Sequence, residues 1–274
     1  MQLINKNIRI LIVGLGLIGG SYAKALKKKG FYVTAITDIQ ESIDYALNEK
    51  AIKEADLTIF SLYPKVFEEW IEKYGSLFKS GAILTDVTGV KSGMVDKIQS
   101  ILSDDVEFIS AHPMAGREVY GVQNSDDRIF EGANYIVVPT DKNTPQAIEL
   151  CKDLGKMLGF ARISELSPEE HDQMIGFVSQ LTHCIAVSLM TCSDNEHLVD
   201  YTGDSFRDLT RIARINENMW SELFMMNREP LLKQMDVFID EFNKIRDIIS
   251  DENTDKLKEK MRLSTKRRAL FDKK

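Results

Sequence analysis

The feature that most limits what this chain can become is its first turn. The apolar run IRILIVG passes directly into Gly14-Leu15-Gly16-Leu17-Ile18-Gly19, and a helical pattern that ends near Gly30 follows. A strand that feeds a glycine turn and then a helix is the opening unit of a parallel sheet, because parallel strands need crossovers. The rest of the first half repeats that rhythm. FYVTAITD, DLTIFSLY, AILTDV and VEFISAHP are apolar runs, separated by the amphipathic stretches ESIDYALNEK, VFEEWIEKYGSLF and MVDKIQSIL. Strands apolar on both faces require helices on both sides of the sheet. Later come YIVVP, the helix PQAIELCKDLGKMLG and a last strand, FARIS.

The pattern changes near residue 165. Ser167 as N-cap, Pro168 at the first helical position and Glu170 three residues on form a capping box that opens a long helix. From Ser205 onward no strand-like run occurs, and Leu231, Met235, Phe238, Phe242, Ile245 and Ile249 keep helical spacing. The expected organisation is an α/β domain over residues 1–164, a doubly wound Rossmann-type sheet, followed by an all-helical domain over residues 165–274. The stripe faces either its own core or a second copy of the chain; the small size of the helical part favours a homodimer.

A chain of 274 residues, 43% hydrophobic, has enough apolar material for two such domains. Its formal net charge of -7 works against a nucleic-acid partner. The tail from Asp255 to Lys274 holds nine Lys/Arg against three acids, which a solvated helix face explains. No continuous stretch reads as a membrane span, and the N-terminal apolar run is broken by glycines. Cys151, Cys184 and Cys192 show no metal spacing and read as buried small hydrophobes in a reducing, cytoplasmic setting. No metal site is expected.

In the glycine turn, Gly14 permits the tight bend, Gly16 lets the backbone approach a pyrophosphate and Gly19 allows close helix packing. Leu17 and Ile18 place their amides at the helix N-terminus, which favours an anion. Asp38 follows Gly19 by nineteen residues and ends the second strand, where a carboxylate accepts from ribose hydroxyls. No Arg or Lys follows in Ile39-Gln40-Glu41, so NAD is expected rather than NADP.

Ligands of open parallel sheets bind beyond the carboxyl ends of the strands. Tyr63 and Pro64, Thr88 and Gly89, and His112 all fall at such ends. His112 precedes Pro113, which favours extended backbone. An imidazole there can take a hydroxyl proton while hydride leaves the same carbon. A strand-end histidine satisfied by backbone is the competing reading, and the residue alone leaves both open.

His112-Pro113-Met114-Ala115-Gly116-Arg117-Glu118, with the glycine fingerprint, resembles the HPMxG segment of prephenate dehydrogenases, enzymes of tyrosine biosynthesis. Ser179-Gln180-Leu181-Thr182-His183 is similar to that family's S-H-L-P-H segment. Phe206-Arg207-Asp208-Leu209-Thr210-Arg211-Ile212-Ala213 resembles its FRDxTRIA segment, with Met219-Trp220 following. The resemblance implies oxidative decarboxylation of a cyclohexadienyl acid with NAD. It makes His112 the acceptor for the ring hydroxyl and pairs Arg211 with a substrate carboxylate. Ser179 and His183 would contact the substrate's side chain, and Asp208 and Glu118 would form a gating network. His171 is expected to be structural and His197 exposed.

Three departures qualify that transfer. The family commonly has Ser-Val-Lys where this chain has Gly89-Val90-Lys91, so Thr88 is expected to supply the hydroxyl beside His112. Gln180 and Thr182 replace His and Pro, with an expected effect on side-chain contacts. The connection Lys50-Ala51-Ile52-Lys53-Glu54 reads as short, so a small strand or turn is expected to be absent. Prephenate is the expected substrate and arogenate the alternative. Two other readings are a β-hydroxyacid-type dehydrogenase and a non-catalytic NAD-sensing module. The first usually needs a lysine in the helical domain, and none occurs between Ser167 and Lys233; the second has no use for His112, His183 and Arg211 together.

Overall fold

A computed structural model describes residues 4–37, 43–117 and 119–271. Five strands, β1 (Arg9–Val13), β2 (Tyr32–Ile36), β3 (Leu57–Phe60), β4 (Ile83–Asp86) and β5 (Glu107–Phe108), form a parallel sheet in the order β2-β1-β3-β4-β5. They alternate with α1 (Leu17–Lys28), α2 (Ile43–Glu54), α3 (Pro64–Tyr74) and α4 (Met94–Ile101). Because side chains alternate across a strand, Ile10 and Ile12 of β1 pack on one face with Tyr22 and Leu26 of α1. Leu11 and Val13 pack on the other with Phe67 and Ile71 of α3 and Ile98 of α4. Both faces are thus covered, as the doubly apolar strands require. Helix α2 runs to Glu54 and passes to β3 without an intervening strand, as the short connection indicated.

The run VEFISAHP departs from its expected form. It is two strands, β5 and β6 (Ser110–Met114), divided at Ile109. Strand β6 belongs to a second sheet, β6-β7-β8, in which β7 (Asn134–Val138) lies antiparallel to β6 and parallel to β8 (Arg162–Glu165). His112 is consequently mid-strand, opposite Ile136, rather than at a strand end. Since β6 begins after β5 has left the parallel ladder, the imidazole still lies beyond the carboxyl edge of the parallel sheet. Helix α5 (Pro145–Leu158) joins β7 to β8 and buries Ala147, Leu154 and Leu158 on the α1 side.

After β8 the described chain is helical. The capping box forms as expected: Ser167 N–H donates to Glu170 Oε2 at 2.9 Å, and Glu170 N–H to Ser167 Oγ at 3.2 Å. It opens α6 (Pro168–Ile175), which continues through a π-helical segment, Gly176–Leu181, into α7 (Thr182–Thr191). This continuous helix is long and apolar enough, by length and composition, to cross a membrane, which corrects the expectation that no stretch is. Three of its polar residues, His171, Asp172 and Gln180, are buried. Helices α8 (Leu198–Tyr201), α9 (Asp204–Thr210) and α10 (Glu217–Met226) follow. Residues 1–227 make one compact unit; α11 (Arg228–Ser250) and α12 (Thr254–Arg268) belong to a second, residues 228–274. Within the second unit, Phe242 and Ile249 of the apolar stripe are exposed. Cys151 is buried, whereas Cys184 is half-buried and Cys192 exposed, which corrects the reading of all three as core residues.

Candidate active site

The β1–α1 turn uses its three glycines in two ways. Gly14 has φ +95°, and a β-carbon there would fall 2.3 Å from the Ser61 carbonyl oxygen. A β-carbon at Gly19 would fall 1.9 Å from the Gly14 carbonyl oxygen, so the turn and helix close on each other without side chains. At Gly16, the N-cap of α1, a β-carbon would meet nothing within 4 Å. Two glycines therefore serve packing and one leaves open backbone at a helix N-terminus with no acidic residue in its first turn. That cradle fits a pyrophosphate, with Leu17 and Ile18 supplying first-turn amides. Asp38 lies outside the described residues. Tyr63 and Pro64 open α3 after β3, the neighbour of β1. The Tyr63 hydroxyl, on a half-exposed ring, accepts from Asn216 Nδ2 at 3.4 Å, and Lys65 N–H donates to Glu222 Oε1 at 2.9 Å. The segment around α10 thus covers that lip.

His112 sits above a buried polar cluster. Its Nδ1 lies 2.9 Å from His171 Nε2, and His171 Nδ1 lies 2.7 Å from Asp172 Oδ1. His171 and Asp172 are both essentially inaccessible. The Asp172 carboxylate also accepts from the backbone N–H groups of Lys91, at 2.9 Å, and Ser92, at 2.7 Å. Lys91, itself fully buried, extends its ammonium to Asp86 Oδ2 and the Ala111 carbonyl, each at 2.7 Å. Asp86 Oδ1 accepts from Ser110 Oγ at 2.6 Å and Ala111 N–H at 3.1 Å. One side chain and one backbone group of Lys91 therefore tie β4, β6 and α6 together beneath the imidazole.

These contacts set the charges. Burial, reinforced by His171 and the Lys91 ammonium, holds the His112 imidazole well below the usual histidine range. Burial also lowers His171, partly offset by its hydrogen bond to Asp172. Burial alone would raise Asp172, but His171 and Ser92 hold it below the usual carboxylate range. Near neutral pH the line is an anionic carboxylate followed by two neutral imidazoles. His171, read from sequence as a structural residue beside Asp172, is in direct contact with His112. Its signal was the His-Asp pair in the first turns after the capping box, which only the fold brings to β6.

Thr88 requires a correction. Its hydroxyl is engaged by the Asp86 carboxylate and lies 3.1 Å from both Lys91 Nζ and the Val90 carbonyl, so it belongs to the buried cluster and not beside the imidazole. The position that does face His112 is Gly89, where an added β-carbon would lie 3.8 Å from His112 Cε1 and 3.6 Å from Leu223.

On the helical side, Ser179 lies in the π-helical segment and His183 four residues on in α7, and His183 Nδ1–H donates to the Ser179 carbonyl at 2.9 Å. The His183 ring stacks on Trp220, centroids 3.6 Å apart. Trp220 and Leu223 are three residues apart on α10 and share a face, so this helix carries one contact for His183 and another over Gly89, next to His112. Gln180 is buried, donating to the Leu223 carbonyl at 3.1 Å and accepting from Asn227 Nδ2 at 2.6 Å, so the residue that stands where the family has His anchors α10. Arg211 starts a 3₁₀ turn, Arg211–Ala213, at the end of α9, is exposed, and lies on a segment packed against α7. Asp208 is exposed on α9; Glu118 lies outside the described residues, so the network expected between them has no described partner.

Residues 22–164 match the family model for the prephenate dehydrogenase nucleotide-binding domain, and residues 167–263 the model for the prephenate dehydrogenase dimerization domain. The chain is 33% identical to a prephenate dehydrogenase of Bacillus subtilis over 270 residues, which cover 90% of this chain and 72% of that protein. It is 29% identical to a cyclohexadienyl dehydrogenase of Zymomonas mobilis across 94% of each. A crystal structure of prephenate dehydrogenase from A. aeolicus, in complex with hydroxyphenyl propionate and NAD+, superposes with a TM-score of 0.84 at 31% identity. It covers 97% of this chain and 98% of that one.

Proposed function

The chain belongs to the prephenate dehydrogenase family, and from that premise we propose how its own residues divide the work of an NAD-dependent oxidative decarboxylation. The substrate is prephenate, and the products are 4-hydroxyphenylpyruvate, carbon dioxide and NADH. NAD, when bound at the glycine turn, accepts the hydride. With Gly14 and Gly19 shaping the turn, the open backbone of Gly16 and the amides of Leu17 and Ile18 would hold its pyrophosphate, Asp38 would hold its ribose, and Tyr63 and Pro64 would flank the cofactor.

His112 takes the ring hydroxyl's proton on Nε2 as the C–H bond gives up its electron pair, and a carbonyl forms. The bond to the ring carboxylate then breaks, its electrons enter the ring, and the phenolate oxygen regains the proton from His112. No proton is released overall, so the imidazole is a shuttle rather than a sink. Aromatisation drives the second step, leaving the protein to orient, deprotonate and exclude water. Arg211 grips a substrate carboxylate with two parallel hydrogen bonds. Ser179 and His183 line the side-chain end, and Asp208 with Glu118 regulates access. Residues 165–274 form the substrate-binding and dimerisation domain of a cytoplasmic homodimer, a reading supported by the match to the dimerization family model and by the exposed apolar residues of α11.

The observation that carries the mechanism is the engagement of His112 Nδ1 by His171, which reserves Nε2 for the substrate. Purified protein supplied with NAD and prephenate is expected to form NADH, and faster than with arogenate. His112→Asn should lower kcat by about 10²–10⁴-fold. A loss under about threefold would remove His112 from the chemistry, and preference for arogenate would reassign the substrate.

A further inference from the structure

We propose that His171 and Asp172 are a positioning pair that fixes His112 as its Nδ1–H tautomer, so that the bare Nε2 faces the reacting hydroxyl. The inference rests on the reading of His112 as proton acceptor and extends it to why this imidazole, and not its mirror tautomer, is present.

Each link is forced by what the atoms can do. An ionised carboxylate only accepts hydrogen bonds, so at 2.7 Å from Asp172 Oδ1 the His171 Nδ1 must carry a proton. A neutral imidazole has one N–H, so His171 Nε2 holds a lone pair. At 2.9 Å from that lone pair, His112 Nδ1 must be the donor. His112 Nε2 is then left without a proton. The direction of the line is set at its far end, where backbone amides of Lys91 and Ser92 hold the Asp172 carboxylate in the core. The groups that could reverse it are the Lys91 ammonium and a doubly protonated His171. Lys91 is spent on Asp86, Thr88 and the Ala111 carbonyl, and the complete burial of His171 disfavours a second charge on the ring. When His112 becomes an imidazolium during the reaction, its Nδ1–H points at the His171 lone pair, and the Asp172 charge lies behind it.

The tautomer can be read without substrate. Long-range ¹H–¹⁵N correlation on histidine-labelled protein at neutral pH, with His112 assigned by its loss in His112→Asn, should show Nδ1 protonated and Nε2 bare. An Nε2–H tautomer in the unmutated protein overturns the proposal. In Asp172→Asn the oxygen stays on the Ser92 amide and the NH₂ turns to His171, reversing the line; His112 should switch tautomer and kcat fall by about 10²-fold or more, with KM for NAD within about threefold. His171→Gln can accept from His112 Nδ1–H through Oε1, whereas His171→Leu cannot. The glutamine variant should retain at least about tenfold more kcat than the leucine one at similar thermal stability. Equal kcat in the two overturns the positioning role even if Asp172→Asn does not fold. A correct tautomer together with full activity in His112→Asn would instead refute the underlying reading of His112 as the acceptor.

Discussion

The dinucleotide cradle and the ground beneath His112 solve opposite problems with opposite materials. The cradle works by omission: three glycines within six residues remove side chains so that backbone can close on itself and remain open to an anion. The imidazole works by accumulation: Asp86, Lys91, His171 and Asp172, drawn from two separated stretches of the chain, are buried together to set one protonation state. A shape can be written in adjacent residues, whereas a buried charge balance needs partners that only folding supplies. The two regions should accordingly fail in different ways when altered.

The largest effect is expected beneath the imidazole. Lys91→Met keeps the length and apolar stem of the side chain but leaves the Asp86 carboxylate buried without its cation. Breaking a fully buried pair in this way should destabilise the protein by about 3–5 kcal/mol, readable from denaturant unfolding. A loss below about 1 kcal/mol would mean that the hydrogen bonds from Ser110 and Ala111 suffice, and that the cluster is held by neutral groups.

The cradle should split into two behaviours. Gly16→Ala adds a methyl to open space, at a backbone conformation alanine tolerates, so stability should change by no more than about 0.5 kcal/mol. The methyl stands where the pyrophosphate approaches, and NAD affinity should drop about tenfold, about 1.4 kcal/mol. Gly19→Ala drives its methyl into the Gly14 carbonyl and should instead destabilise the fold by about 1–3 kcal/mol. Unfolding curves paired with NADH fluorescence titrations check both. Matching profiles for the two variants would erase the distinction between packing and recognition glycines.

This division also explains what could be read in the sequence. The glycine turn, the capping box at Ser167 and the alternating strands are local patterns whose physics fits in a window of a few residues, and the structure reproduces them. The resemblance of three short segments carried the family. What stayed hidden was non-local. His171 lies 59 residues from His112, and nothing in SPEEHDQ distinguishes a helix-facing histidine from one that meets β6. The break at Ile109, where a parallel strand gives way to an antiparallel one, leaves no mark because burial is continuous across it, from Phe108 through Ile109 and Ser110 to Ala111. Thr88 reads in sequence as a cavity hydroxyl, and Gln180 as a replacement that alters contacts at the substrate's side chain. Both are instead buried hydrogen-bond anchors, a use that composition cannot separate from substrate contact.

The smallest expected effect probes the seam between the two regions. Gly89 follows β4 and faces His112, with no positive φ that would bar another residue, and an added β-carbon finds ordinary contacts at 3.6 Å to Leu223 and 3.8 Å to His112 Cε1. The β-carbon of Gly89→Ser is therefore accommodated without a clash and brings a hydroxyl beside the imidazole. Nδ1 of that ring is already taken by His171, so the new group can serve only the substrate's hydroxyl oxygen or Nε2. Donation to the substrate oxygen adds one neutral hydrogen bond of about 0.5–1.5 kcal/mol, and kcat/KM with prephenate should rise by about 2–10-fold, with thermal stability unchanged. A fall in kcat/KM would show the serine capping Nε2 in the free enzyme. The glycine would then be the residue that keeps the proton acceptor uncontested, as the three glycines of the cradle keep the backbone clear.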